Sequence, residues 1–223
     1  MLFLQKKYKI GTARQALTRF SARMNRVFRL FVKTSRHVYQ TASQIKYPRL
    51  KGTIKMEIER KWIVKNWPQE SDSLPLIREE LMRQGYISVH PTVRIREESV
   101  KGGNTEYIVC FKSSGTLSRK EIELSVSEEK FRELEDLIGI PLIPKRRRTY
   151  LLPDGLHLEV NLVDEGRKTE FMYAEIEYTS EQQALSWDPA SAGLKDYLSN
   201  DVTGQPDHTM GTFWVLTRLK KGS

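Results

Sequence analysis

The stretch M-E-I-E-R-K-W-I-V, residues 56–64, reads as a β-strand with an unusual division of faces. Alternate side chains of a strand point to opposite sides. Glu57, Glu59 and Lys61 therefore share one face, while Ile58, Arg60, Trp62 and Val64 share the other. Two carboxylates and an ammonium in one row suit either a solvated sheet surface or the wall of an enclosed, charged cavity. The remaining strands bear on that choice.

Period-two segments recur at 92–98, 105–112, 119–125, 145–152, 156–163 and 171–178, in addition to 56–65. The K-G-G-N turn at 101–104 joins two of them as a hairpin, its glycines supplying the positive φ of tight turns. Three helical patterns interrupt. L-P-L-I-R-E-E-L-M-R-Q-G, residues 74–85, predicts a helix with Gly85 as its C-cap. S-E-E-K-F-R-E-L-E-D-L-I-G, residues 127–139, predicts a second helix that ends at Gly139, and S-E-Q-Q-A-L at 180–185 a third. Mostly antiparallel strands with a few helices predict an α+β domain built on a large or closed sheet.

The strand faces carry charge segregated by sign. Arg94 and Arg96 oppose Val93 and Ile95, whereas Arg119, Glu121 and Glu123 oppose Ile122 and Leu124. His157, Glu159 and Asn161 oppose Leu158, Val160 and Leu162, and Glu175 with Glu177 opposes Ala174 and Ile176. Lys112 ends one strand, and K-R-R-R at 145–148 begins another. An ordinary wet face mixes signs and neutral polar residues. If these faces line one closed barrel, two carboxylates ~4 Å apart repel by about 4 kcal/mol at an effective dielectric near 20. Converging glutamates then call for divalent cations, and all-oxygen ligands suit Mg²⁺ or Mn²⁺. The facing lysines and arginines call for a polyanion, phosphate above all. Such a site suits a phosphohydrolase or phosphoryl-transfer reaction.

The order of these motifs resembles the CYTH superfamily, also called triphosphate tunnel metalloenzymes. E-I-E-R-K at 57–61 looks like its E-x-E-x-K signature. A helix ending Q-G-Y, then V-R-I-R, a Lys-ending strand, R-K-E-I-E, a basic K-x-R strand, an E-x-D-like strand and the closing A-E-I-E-Y follow in order, and L-S-N-D-V-T-G at 198–204 resembles the E-V-T turn of short bacterial members. The resemblance covers about residues 56–216 and implies a closed eight-stranded antiparallel barrel with flanking helices. Its lumen would bind triphosphate with Mg²⁺ or Mn²⁺. By the same resemblance, Glu57, Glu59, Glu121, Glu123, Glu159, Asn161, Glu175 and Glu177 are candidate metal ligands. Lys61, Arg94, Arg96, Lys112, Arg119, Lys145 and Arg147 are candidate phosphate contacts. Lys61, with Glu57 and Glu59, is also a catalytic candidate. A one-residue slip in K-R-R-R would turn Arg146 and Arg148 inward instead.

Three departures bear on the substrate. Asn161 stands where the pattern usually has Asp, D-H-T-M at 207–210 replaces R-Y-S-N, and 171–173 lacks a glycine. The implied activity is cleavage of inorganic triphosphate. Alternatives are an adenylate cyclase, a thiamine or nucleoside triphosphatase, or a non-catalytic polyphosphate-binding module.

The net charge of +9 conceals two electrostatic regimes. Residues 1–55 hold 14 Lys or Arg and no Asp or Glu, leaving 56–223 at −5. We expect 1–55 to be a basic leader and 56–223 the tunnel domain. In the leader, Phe20, Met24, Val27, Phe28 and Phe31 recur at helical spacing among arginines. An organellar targeting segment, a membrane or nucleic-acid arm, and upstream sequence before a start at Met56 all fit that composition. The cytoplasm is expected, or an organelle if the leader is a targeting segment. No apolar run approaches the ~20 residues of a membrane span, and Cys110 is the lone cysteine. No nucleic-acid motif is evident, and a homodimer is compatible. His37, His90, His157 and His208 show no ligand spacing, and only His157 falls on the lumen-facing register. Trp62, Trp67, Trp187 and Trp214 suit packing.

Overall fold

A computed structural model describes residues 52–71 and 73–220, with side chains from Lys55 onward. The amphipathic helix expected in the leader lies outside the described residues. Eight antiparallel strands close into a barrel: β1 (Gly52–Val64), β2 (Leu76–Val89), β3 (Thr92–Val100), β4 (Thr105–Lys112), β5 (Ser118–Ser125), β6 (Ile143–Leu151), β7 (His157–Val163) and β8 (Phe171–Glu177). Their order around the barrel is β1-β5-β4-β3-β2-β6-β7-β8. β1 closes the ring by dividing its length. Gly52–Ile58 pair with β5, and Glu59–Val64 pair with β8. The α+β barrel expected from the sequence is the one observed.

The apolar residues pack mainly outside the barrel wall. Trp62, Leu158, Val160, Ala174 and Ile176 are fully buried under the segment that follows β8. That segment contains helix α2 (Glu181–Ser186). On the opposite flank, α1 (Glu128–Ile138) seats Phe131 over Ile95, Val109 and Tyr107. Its boundaries follow from its ends. The Ser127 side chain accepts from the Lys130 backbone N–H, and Gly139 at φ 62° caps the last turn. The short helix α3 (Met210–Trp214) packs Trp214 against Tyr86 near one end of the barrel. A π-turn over Val215–Leu219 extends α3. Arg218 from that turn donates to the wholly buried Asp164 at 2.5 Å, which ties the tail to the β7–β8 connection.

The predicted helix over 74–85 does not form, because Leu76–Gly85 lie within the fourteen-residue strand β2. Leu, Arg, Glu, Met and Gln are good helix formers, yet pairing with β3 and β6 on both sides overrides that preference. The strand also hid its period. Glu80, Met82 and Gln84 are buried facing inward while Leu81 is 60% exposed, the reverse of a sheet resting on an apolar core. Gly85 is not a C-cap and is not among the glycines at positive φ. It is required for space: a Cβ there would collide with the Leu142 side chain and press on Ile138 and Trp214 at 3.4 Å. Gly85→Val should therefore cost about 1–3 kcal/mol by overpacking, lowering Tm by several degrees in a calorimetric melt.

Candidate functional site

Inward-facing side chains form a charged lumen of about 1190 Å³. β1 contributes Lys55, Glu57, Glu59 and Lys61, β5 contributes Arg119, Glu121 and Glu123, and β7 and β8 contribute Glu159, Glu175 and Glu177. β4, β3 and β6 present Lys112, Arg94, Arg96, Lys145 and Arg147 on the other side. The acidic strands β7-β8-β1-β5 are contiguous around the ring, and so are β4-β3-β2-β6. Two walls of opposite predominant charge thus confront each other. Every charged candidate named from the sequence lines this lumen. Asn161 shares the inward register but is wholly buried behind it.

Register explains the pairing. Glu57 lies opposite Arg119, and Lys55 opposite Glu121. Glu57 is bridged by Lys112 Nζ at 2.6 Å and Arg119 Nε at 2.6 Å, while Arg119 Nη2 also reaches Glu59 at 2.7 Å. Burial alone would raise the Glu57 pKa, but these two cations override it and hold the carboxyl at about 2. Glu175, bonded by Lys61 Nζ at 3.2 Å, is likewise lowered to about 2 despite burial, by Lys61, Lys145 and Arg147. Like charges also meet. Glu59 faces Glu177 across β1–β8, and Glu159 faces Glu175 across β7–β8. Burial, reinforced by the Glu175 and Glu57 charges, pushes Glu59 up to about 7. Burial and the Glu159 charge push Glu177 upward as well.

The basic wall contains cations with little to hold. Arg94 is 9% exposed, its nearest carboxylates stand 3.8 and 4.0 Å away, and its Nε has no hydrogen-bond partner. Lys145 is 5% exposed and its ammonium contacts the Tyr173 hydroxyl at 3.3 Å rather than a carboxylate. Burial and neighbouring Arg147 lower its pKa well below the usual lysine range. Arg147 is well occupied, with Nη1 on Glu159 at 2.6 Å and Nε donating to Asn161 Oδ1 at 3.0 Å.

The K-R-R-R register is that of Lys145 and Arg147 facing inward. Arg146 pairs with Glu165 at 2.8 Å and Arg148 with Glu79 at 2.7 Å, where it also lies over Trp67. His157 is the exposed first residue of β7 and does not line the lumen. Trp62 and Trp214 are buried packing residues. Sequence reasoning missed Lys55, Glu98, Glu80, Tyr86 and Tyr173. Continuing the period-two runs 55-57-59-61 and 94-96-98 finds the first two, whereas Glu80 was masked by the helical reading of β2. The tail also reaches the site: Val202 N–H donates to the Lys61 carbonyl at 2.9 Å, and Thr203 Oγ1 accepts from the Lys61 N–H at 3.0 Å. Residues 203–212 line the lumen with Lys220.

Could these groups hold a cation? Ligand atoms of Cys110, Glu121 and Glu123 lie within 4.8 Å of one another. Lys112 and Lys55 already contact Glu121, however, and Arg96 contacts Glu123, so that trio is charge-compensated. Glu59 and Glu177, opposite each other on β1 and β8, are the metal candidates whose pKa burial and neighbouring carboxylates raise, even though Arg119 and Lys55 contact them. Carboxylates raised by mutual repulsion and burial fit a divalent cation, which replaces a proton as the source of neutralising charge.

No family model matches the chain. The chain is similar to an inorganic triphosphatase of Nitrosomonas europaea, 35% identical over 134 residues, which is 60% of this chain and 83% of that protein. Among solved structures it is similar to a crystal structure of an inorganic triphosphatase, at 25% identity and TM-score 0.48, covering 70% of this chain and 93% of that one. It is also similar to an adenylyl cyclase-like protein from Hippeastrum with dominant triphosphatase activity, at 16% identity and TM-score 0.39, covering 63% of this chain and 87% of that one. No helix among the described residues is long and apolar enough to cross a membrane.

The raised Glu59 pKa gives a pH test. In the unfolded chain this group ionises near 4.5, in the fold near 7. Its stabilisation is thus present below 4.5 and lost as pH rises through 7. In EDTA, Glu59→Gln should melt about 10 °C above wild type at pH 8 and level with it at pH 4.5, each pKa unit being about 1.4 kcal/mol. Thermal scans at both pH values check this.

Proposed function

The chain belongs to the CYTH superfamily of triphosphate tunnel metalloenzymes, and on that premise we propose that it is a divalent-metal-dependent phosphohydrolase that cleaves inorganic triphosphate. The observation that carries this reading is the pair of buried, under-occupied cations, Arg94 and Lys145, across the lumen from surplus carboxylates. A buried cation without an anionic partner is costly. A phosphate chain lying along the basic wall relieves both Arg94 and Lys145, and favours the charged form of Lys145 against the burial that lowers its pKa.

The roles of the lining residues follow from their partners. Arg94, Arg96 and Lys145 bind phosphate oxygens, the two guanidinium groups through paired N–H donors. Lys112 and Arg119 extend this surface but are aimed by Glu57, which makes Glu57 an orienting group. Lys61, its backbone held by Val202 N–H and Thr203 Oγ1 and its ammonium bonded to Glu175, presents that ammonium towards the phosphate chain. Glu59, Glu159, Glu175 and Glu177 would hold Mg²⁺ or Mn²⁺. When bound, such a cation supplies positive charge opposite the phosphates and acidifies the water that attacks phosphorus. Glu121 and Glu123 orient Arg94, Arg96 and Lys112. Asn161, whose oxygen is given to Arg147, positions that guanidinium. The protein contributes charge and alignment rather than a covalent nucleophile, as is general in phosphoryl transfer. The small polyanion is the only partner this site requires.

Phosphate release from tripolyphosphate, ATP, GTP and thiamine triphosphate, each with Mg²⁺ and with Mn²⁺, tests the reading. Tripolyphosphate should be the best substrate, with no turnover in EDTA. Preference for an organic triphosphate, or cyclic AMP formed from ATP, overturns the substrate claim. Tight tripolyphosphate binding without turnover in any metal makes the protein a binding module instead. Glu177→Ala should reduce turnover by about 100-fold while circular dichroism remains that of the folded barrel.

Asn161→Asp tests the position that departs from the family pattern. A carboxylate there attracts Arg147 more strongly than an amide does and draws it from Glu159, freeing that group for the metal. The Mg²⁺ concentration giving half-maximal rate should fall several-fold. An unchanged Mg²⁺ dependence refutes this role for Asn161.

A further inference from the structure

One lumen residue belongs to no motif singled out above. Tyr173 lies on the inward face of β8, two residues before Glu175, and is 1% exposed. Its ring face is closest to Lys61, with Lys145 Nζ farther off at 5.8 Å, and its hydroxyl meets Lys145. Lys61 Nζ stands 3.8 Å from the ring centroid while also bonding Glu175 at 3.2 Å. Lys145 Nζ is 3.3 Å from the Tyr173 hydroxyl. Behind the lumen, Phe171 stacks on the Tyr173 ring at 5.7 Å and 26°, and Phe213 packs on Phe171 at 4.9 Å. Phe171 thus links the Tyr173 ring to Phe213 of α3.

We propose that Tyr173 is a positioning residue for phosphate capture, its ring face fixing the Lys61 ammonium and its hydroxyl fixing that of Lys145. The inference rests on the triphosphatase reading above. Lysine is a flexible four-carbon stem with a point charge, so it reaches a defined place only when something else holds it. Two ammonium groups near one carboxylate also repel each other. The ring's electron-rich face attracts the first, and the hydroxyl oxygen accepts from the second. Both cations then meet the phosphate chain already ordered, and the entropy of ordering them is not charged to binding. Leucine would fill much of the same volume and supply neither contact.

The geometry separates the two contacts experimentally. Tyr173→Phe keeps the ring and removes the hydroxyl, whereas Tyr173→Leu removes both. With Mg²⁺ and tripolyphosphate, Tyr173→Leu should raise KM about tenfold and leave kcat within about threefold. Tyr173→Phe should recover most of that loss. Independently of turnover, the ε-methylene protons of Lys61 should be shifted upfield by the ring in wild type and in Tyr173→Phe, and should lose that shift in Tyr173→Leu. Tyr173→Met serves if the leucine variant does not fold. A leucine or methionine variant with wild-type KM, or a wild-type Lys61 signal without the ring shift, overturns the proposal. If wild type does not hydrolyse tripolyphosphate, the functional reading fails. The lysine spectra and the calorimetric Kd for tripolyphosphate still judge Tyr173.

Discussion

An isolated ion buried in protein costs several kcal/mol even after relaxation, and replacing its partner by nothing costs more than replacing the pair by apolar groups. This barrel buries charged side chains on five of its strands, at Glu57, Glu80, Arg94, Glu121 and Lys145. It remains foldable because the cations of β4, β3 and β6 stand within reach of the carboxylates of β5, β1, β8 and β7. Glu57 between Lys112 and Arg119 is the tightest expression of that constraint. Everything else in the architecture accommodates it. Because the middle of the molecule is given to charge, the apolar residues are displaced to the outer wall. The helices and the long tail exist in part to cover them there.

The compensation is deliberately incomplete in physical terms, and the shortfall is unevenly placed. Like carboxylates face each other where β8 meets β1 and β7, and cations lack close acceptors on β3 and β6. A lumen neutralised everywhere by its own side chains would have nothing to offer a charged ligand. This one has opposite deficits on opposite sides, so that a metal and a phosphate chain improve each other's binding as well as their own contacts. The same logic accounts for the contrast between Glu57 and Glu59. They are two residues apart on one strand, yet cation neighbours lower one and carboxylate neighbours raise the other.

Much of this was legible in the residues. Alternation shows that Glu57-Glu59-Lys61, Arg94-Arg96 and Glu175-Glu177 each share a face, the segregation of charge and the family resemblance turn those faces inward, and α1 declares itself by Ser127 and Gly139. β2 did not, for a reason inherent in the fold. The usual code equates buried with apolar, whereas here Glu80 and Gln84 are the buried face and Leu81 the exposed one. A strand that obeys an inverted code, written in good helix formers, looks like a helix. Tyr173 was hidden differently. Its parity was readable, but an aromatic residue next to apolar neighbours suggests packing, and only folding brings Lys61 to its ring face and Lys145 to its hydroxyl. The contribution of the tail was half visible, since V-T at 202–203 was noticed while its grip on the Lys61 backbone was not.

β1 is bonded to β5 along its first half and to β8 along its second. The earliest described strand to leave the ribosome is therefore the one whose second partner comes last, more than a hundred residues later. Until Glu177 is made, the stave carrying Glu57, Glu59 and Lys61 has one open edge and its charged face has no enclosure. Contacts so distant in sequence make for slow folding. The nascent chain must hold a half-built cylinder, with its carboxylates still wet, until the final strand arrives to shut it.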